Sequence, residues 1–453
     1  MKRFIYRGLR FTSSVDQWLR ERLTHAGWLA LGLAGAGAAA GLDTNQTVTY
    51  RAFTFLAALL LLCYVASRFL RARVEAVREL PRYASAGERC VYRVTLTNRG
   101  ASPLSDARLR EHFRDPRPGF DEWRRTREPG EERRNWWDRT VGYFRWRWQI
   151  ERRLPRDIEA CDLAPLAPGE RRELRLAFTP RRRGRIELEG LTVGRPDPLG
   201  LIQGLTRVPL PAHLIALPRR YRLPGIALPG RRKYQPGGVS QASSVGDSEE
   251  FLALRDYRPG DPLHRVHWKS YARTGRPVVK EYQDEFFERH ALILDTASRR
   301  GEDACFEDAV ALAASFVYTI DTHECLLDLL FVSDAPARDG ASRESVRAYT
   351  AGRGQMQSSN MLEVLAAVGP SDAAAFAGLA RTVVARRESL SSVILLLLDW
   401  DEERRRLAEA LLAAGASVRA LLVCPKDARP AGMPGWVVTL HPGEIESGLA
   451  GLR

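Results

Sequence analysis

The sequence predicts a multi-domain chain: an N-terminal two-helix membrane hairpin, an antiparallel β-sandwich and a C-terminal α/β domain of Rossmann-like type. Three observations lead there. Two uncharged apolar runs lie close together near the N-terminus. From about residue 81 to 217 apolar residues alternate with polar ones. Beyond about residue 288 apolar, strand-like runs alternate with helical stretches.

The apolar runs cover residues 26–42 (AGWLALGLAGAGAAAGL) and 52–67 (AFTFLAALLLLCYVAS). As helices rising about 1.5 Å per residue, each reaches about 25 Å, the short end of a membrane span. Arg51 and Arg68 flank the second run and can extend towards headgroups. Lys2, Arg3, Arg7, Arg10, Arg20 and Arg22 precede the first run, and Arg68, Arg71, Arg73, Arg78 and Arg82 follow the second. The connector has only Arg51. The positive-inside rule then predicts a multi-pass protein of the cytoplasmic (inner) membrane with both termini in the cytoplasm. Residues 1–80 form this hairpin with its basic flanks, and the lipid bilayer is its partner.

Charge is uneven. Residues 288–453 hold 17 Lys+Arg against 23 Asp+Glu, a net of −6 within a chain of +14, so residues 1–287 carry +20. A basic half suits anionic phospholipid or nucleic acid. A blander cause is available: five of the 69 basic residues are lysines, and Ala, Gly and Pro are plentiful, as a G+C-rich genome would produce. No nucleic-acid partner is expected. The six cysteines form no C-x-x-C pair and sit in apolar surroundings, which reads as buried free thiols.

Residues 81–217 read as the sandwich. In CVYRVTLTNRG, Cys90, Tyr92, Val94 and Leu96 share a face, and a turn follows. Leu174, Leu176 and Phe178 repeat the period, as do Ile186 and Leu188. An insertion at 116–155 interrupts the pattern with NWWDRTVGYFRWRWQIERR. Trp136, Trp137, Tyr143, Phe144, Trp146 and Trp148, interleaved with Arg139, Arg145 and Arg147, suit a β-hairpin with cross-strand aromatic pairs, a membrane or partner contact, or a stacked nucleic acid.

In residues 288–453, ALILD, CLLDLLFVS, SVILLLLD, SVRALLV and WVVTL read as strands, and 303–324, 358–369, 372–388 and 401–415 as helices. That alternation indicates an open, mostly parallel sheet, where ligands bind beyond the carboxyl ends of strands. Asp295 and Asp399 end two of them. Thr296, Ser298 and Ser359 are hydroxyls in reach of the same edge. Oxygen ligands from several loops can hold Mg²⁺ or Mn²⁺. This set, Asp295, Ser298, Ser359 and Asp399, resembles the metal-dependent adhesion site of von Willebrand factor A domains. The match is partial: where that family has Asp-x-Ser-x-Ser this chain has DTASR, with Ala297 and Arg299 at the serine positions. Asp399 also has a simpler reading, as an aid in capping the helix that starts near Asp401.

The linking segment, 218–287, contains LRDYRPGDPLHRVHWKSYARTGRPVVKEY, residues 254–282. Pro259-Gly260 suits a turn, Asp261 a helix N-cap and Pro262 the first helical position. About three helical turns follow until Gly275, and RPVVKEY resumes as a strand. His264 and His267, with Asp261 three residues before the first, can share a helical face, a spacing that permits a metal-dependent hydrolase. No nucleophile or further ligand set lies nearby in sequence. The structural reading is an arginine–aspartate network joining the domains, with Trp268 as its packed anchor.

Leu254, Arg255, Tyr257, Gly260, Asp261, Arg265, Val266, Trp268, Ala272 and Arg273 resemble the signature of domain-of-unknown-function family 58. RPDPLGLI, residues 195–202, resembles that family's other recurring element. The resemblance implies a membrane-anchored bacterial protein with a von Willebrand A-like domain that acts beside a MoxR-type AAA+ ATPase; other envelope-associated proteins are further candidate partners. It implies no established enzymatic activity. The function expected from the whole chain is therefore a non-enzymatic, cytoplasm-facing scaffold or adaptor. The alternatives are the hydrolase on the His264/His267/Asp261 face and nucleic-acid or phospholipid binding through the basic half.

Overall fold

In the computed structural model the described residues are 1–40, 47–224, 250–259, 261, 263, 266–283, 288–298, 303–320, 325–336, 342–351, 355–428, 430 and 432–451. The chain is mixed α/β with several sheets and divides into two compact units, Met1–Arg219 and Arg220–Arg453.

The first unit opens with three helices, α1 (Lys2–Arg22), α2 (His25–Ala40) and α3 (Thr47–Ser67). One helix among the described residues, Val48–Ser67, is long and apolar enough to cross a membrane, by length and composition. This overturns the multi-pass topology with both termini in the cytoplasm. Among the described residues the first apolar run forms a helix of 16 residues, about 24 Å at 1.5 Å per residue, against a hydrocarbon core of about 30 Å. Its Gly/Ala composition permits close approach to α3: a Cβ on Gly37 would meet the Phe53 Cβ at 3.4 Å.

Eight strands follow: β1 (Val74–Glu79), β2 (Tyr83–Ser85), β3 (Cys90–Asn98), β4 (Ala107–Phe113), β5 (Ala160–Leu163), β6 (Arg171–Phe178), β7 (Gly184–Pro196) and β8 (Gln203–Leu217). They make a three-stranded sheet, β1-β3-β6, and a five-stranded sheet, β2-β8-β7-β4-β5, which contribute to one apolar core. Tyr92, Val94 and Leu96 of β3 meet Leu109 of β4, Phe178 of β6 and Leu188 of β7 there, as period-two alternation requires. Pairing is antiparallel except for β2, which runs parallel to β8.

The 116–155 insertion is helical, not a β-hairpin. It holds α4 (Phe120–Arg125), α5 (Trp136–Val141) and α6 (Tyr143–Glu151). Asn135 caps α5 through its side chain, which accepts from Asp138 N, and Gly142 ends it with φ 65°, a left-handed value that glycine adopts freely. Trp146 and Ile150, four apart, then face the same way. They join Trp123 and Phe120 around Tyr6 of α1, whose ring lies 5.5 Å from Trp146 and 5.9 Å from Trp123. The insertion's aromatics thus divide: Trp146 is buried, whereas Trp136 and Trp137 stay exposed.

The second unit begins with a two-stranded antiparallel sheet, β9 (Glu250–Asp256) and β10 (Val278–Gln283), with α7 (Trp268–Thr274) between them in sequence. The main sheet comprises β11 (Glu288–Leu294), β12 (Cys325–Pro336), β13 (Ser342–Ala351), β14 (Ser392–Leu397), β15 (Ser417–Val423) and β16 (Val437–Leu440), in spatial order β13-β12-β11-β14-β15-β16. All neighbours are parallel except β12 and β13. The helices are α8 (Ala304–Thr319), α9 (Gln355–Ala367), α10 (Phe376–Ala385), α11 (Glu402–Ala413) and α12 (Ile445–Ala450). Every residue of β14 is buried, as a strand covered on both faces must be.

Candidate functional site

The order of strands reverses between β11 and β14, where an open parallel sheet forms its ligand crevice. Asp295 leaves β11 at this point. Its Oδ1 accepts from Ala297 N at 3.0 Å and its Oδ2 from Leu398 N, just past β14, at 3.2 Å. The remaining partner is Arg404 of α11: Nε donates to Asp295 Oδ2 at 2.7 Å. Asp401 caps α11 by accepting from Arg404 N at 3.1 Å and also takes Arg404 Nη1 at 2.5 Å. The guanidinium lies 4.3 Å from the centre of the Phe376 ring. Burial raises the Asp295 carboxyl above the usual range, against the pull of Arg404 and the two amides. Burial alone would lower Arg404, but Asp295, Asp401 and Asp399 around it raise it.

The proposed Mg²⁺ or Mn²⁺ ligands do not converge on a cation. Asp295 already holds one, the Arg404 guanidinium, and a divalent ion placed beside it would meet like charge. Asp399 accepts from Trp400 N at 2.8 Å; capping falls to Asp401. Ser359 sits within α9, half-buried, rather than in a loop. Ser298 is half-buried, one residue past Ala297. The Thr296 hydroxyl donates to Val332 O at 2.8 Å and lies 3.0 Å from Ser371 Oγ. Among the described residues no group of three or more His, Cys, Asp or Glu side chains is placed to hold a metal ion. These donors do not fit a hard divalent cation. Arg404 escaped the sequence reading, although a signal existed: it is the one arginine of DEERRRLAEALL in register with Leu407, Ala408 and Leu411, which the helix buries.

The signature segment forms the β9–β10 hairpin. Arg255 binds Asp261 with both guanidinium nitrogens at 2.7 Å, and Arg258 N donates to Asp261 Oδ2 at 2.8 Å. The hydrogen bond from Arg255, with that from Arg258 N, lowers the Asp261 carboxyl to about 2. Asp261 is therefore a clamp inside the hairpin, not the helix N-cap; His267 stands at that position. Tyr257 N donates to Pro277 O at 3.0 Å. Val266 bridges to Val279, so the helix is only seven residues long and ends at Gly275, φ 68°. Trp268 is not a packed anchor: it is 60% exposed, edge-on to Tyr271, which is 43% exposed. Arg273 lies in the last turn of α7. For the hydrolase reading, His267 Nδ1 lies 2.7 Å from Ser270 Oγ, while Asp261 is committed to Arg255. Gly260, His264 and Arg265 lie outside the described residues.

The second motif, residues 195–202, is the turn between β7 and β8. Asp197 is buried there, and its two oxygens accept from Leu201 N at 2.9 Å and Ile202 N at 3.2 Å. The turn receives the start of α2: Thr24 N donates to Leu201 O at 3.1 Å, and Leu23 bridges to Ile202. A Cβ on Gly27 would lie 2.1 Å from Leu201 O, so only glycine permits this approach.

No family model matches the chain. An uncharacterized protein of Bacillus subtilis, YeaD, is 27% identical over 181 residues, covering 38% of this chain and 44% of the relative. The chain thus spans less than half of that relative's length. Among solved structures, the CARDB domain of a Pyrococcus furiosus protein is 13% identical, covering 32% of this chain and 94% of that one, with a TM-score of 0.17. A DNA-bound alkylpurine DNA glycosylase of Pseudomonas fluorescens gives 13% identity, 43% and 44% coverage and a TM-score of 0.18. Likenesses at this level carry no argument about fold or function.

Proposed function

We propose that the chain is a non-enzymatic scaffold or adaptor of domain-of-unknown-function family 58, with a von Willebrand A-like second unit that binds partner proteins, foremost a MoxR-type AAA+ ATPase. The observation that carries this reading is the Asp295–Arg404 pair. The position where such a sheet offers a ligand crevice is filled by the protein's own cation, which leaves a binding face rather than a reaction centre. The order β13-β12-β11-β14-β15-β16 with an antiparallel edge strand also supports the A-like assignment. The helix Val48–Ser67 supplies a candidate anchor.

The test uses the full chain in detergent and a purified MoxR-type ATPase from the same source. Binding is measured in the nucleotide-free, ATP-analogue and ADP states. Saturable binding in at least one state is expected, unchanged when divalent ions are withheld from the scaffold before mixing. Absence of binding in every nucleotide state would remove the adaptor reading.

A further inference from the structure

We propose that a pocket at the C-terminal end of α3, lined by Arg22, Ser67, Arg68, Arg71 and Leu205, binds a phosphate group. The pocket has a volume of about 260 Å³ and three arginines among its five lining residues. They come from two places in the chain. Arg22 is the last residue of α1, its guanidinium 5.5 Å from the Trp18 ring and 5.9 Å from the Tyr64 ring of α3. Arg68 and Arg71 follow α3 directly.

The backbone here is fixed. Arg68 N donates to Val65 O at 3.1 Å and Leu70 N to Ser67 O at 3.3 Å. Ala72 N donates to the Thr206 hydroxyl of β8 at 2.9 Å. A Cβ on Gly204 would lie 2.5 Å from Ser67 O, so β8 runs against the end of the helix. The backbone that carries Arg68 and Arg71 is thus fixed against β8, and the same pocket is lined by Arg22.

Among the described residues none of the three arginines has a carboxylate partner, and Glu21, next to Arg22, pairs with Arg207 instead. Two helix C-termini converge here and offset part of the charge. Each contributes about half a negative charge, so three guanidinium groups leave an excess of about two positive charges. A phosphate monoester or diester supplies one to two negative charges and pairs of oxygens that the planar guanidinium fork can bind bidentately. The shared ligand chemistry is a phosphate. Its source is a phospholipid headgroup or a free phosphate, and Ser67, the last residue of the candidate span, puts the pocket at the end of an apolar helix surface.

The test uses the full chain, wild type and Arg68→Gln/Arg71→Gln, with Arg51→Gln near the other end of α3 as the control. One arm measures binding to nanodiscs of phosphatidylcholine with and without phosphatidylglycerol. The other measures inorganic phosphate and pyrophosphate against detergent-solubilised protein by calorimetry. All substituted side chains are exposed, so folding is retained. Wild type is expected to bind a phosphate in at least one arm, about tenfold more tightly than the double variant, with Arg51→Gln unchanged. Preference for phosphatidylglycerol without binding of free phosphate assigns a headgroup; saturable binding of free phosphate that competes with lipid assigns the free anion. Equal binding by wild type and the double variant, no binding in either arm, or an equal loss in Arg51→Gln would overturn the proposal.

Discussion

Arg404 Nε lies 2.7 Å from Asp295 Oδ2, with 4% and 0% of the two side chains exposed. A buried pair of this kind is costly to break from one side, because the surviving charge is left without a partner or water. Arg404→Met is expected to lower unfolding stability by about 3–5 kcal/mol, and Asp295→Leu/Arg404→Met to recover most of that loss. Denaturant unfolding of the full chain measures both. If the two changes simply add, the pair is not coupled as its geometry requires. Wild type should also unfold at the same midpoint in Mg²⁺ and in EDTA.

The Asp197 turn predicts a different effect. Asp197→Ala removes the buried acceptor of Leu201 N and Ile202 N, at a cost of about 1–3 kcal/mol. Gly27→Val places side-chain atoms where Leu201 O stands and should push α2 off the turn. Proteolysis near residues 23–27 is expected to quicken in both variants, read by mass spectrometry of the fragments. Unaltered cleavage in Gly27→Val would mean that the helix does not depend on this contact.

Glu111 sets a pH dependence. It is buried with Arg78 Nη2 at 2.5 Å and the Tyr92 hydroxyl at 2.6 Å. Burial raises its carboxyl to about 7 in spite of Arg78 and the hydrogen bond from Tyr92. The folded state therefore binds more protons than the unfolded state between about pH 4.5 and 7. The stability tied to the protonated form is complete below that window and is lost as pH rises through about 7, on the order of 1–3 kcal/mol. Thermal unfolding of wild type should weaken from pH 5 to pH 8 more steeply than that of Glu111→Gln. Parallel curves would place the Glu111 carboxyl outside this range.

Elements whose cores are read by a single period were legible in the sequence. The alternation of β3 and the apolar run Val393–Leu397 of β14 needed no tertiary information. Helix α1 was missed because half its face is charged and its anchor, Tyr6, is completed by Trp123 and Trp146 from an insertion over a hundred residues away. The insertion itself was misread because tryptophan and arginine alternate in FRWRW, mimicking a strand, while the decisive Asn135 and Gly142 caps are single residues. β13 was missed because its pattern, SRESVRAYTA, is polar, as befits an edge strand. At the switch point Asp295 was found, because it ends an apolar strand. Arg404 was not, because its role depends on the neighbour across the crevice.

The β9–β10 hairpin lets one substitution test the proposed partner binding apart from folding, and so gives the sharpest prediction. Trp268 and Tyr271 are exposed, with Lys269 and Arg273 on the same short helix and Arg276 just beyond it. Little in the fold depends on the Trp268 ring, so Trp268→Ala should change unfolding stability by no more than about 0.5 kcal/mol. If the proposed ATPase docks here, the same change should weaken its capture at least about tenfold, since tryptophan and arginine are enriched among the residues that dominate interface energy. Asp261→Asn tests the clamp instead. Its carboxyl is lowered to about 2, so the clamp is present above the unfolded value near 3.8 and is lost as pH falls through about 2. At neutral pH the substitution alone opens it. Hydrogen exchange at Arg258, whose amide Asp261 accepts, should then accelerate in Asp261→Asn and stay unchanged in Trp268→Ala. If Trp268→Ala unfolds the protein, the side chain is structural after all. If it leaves both stability and capture unchanged, Trp268 is no part of the proposed binding face.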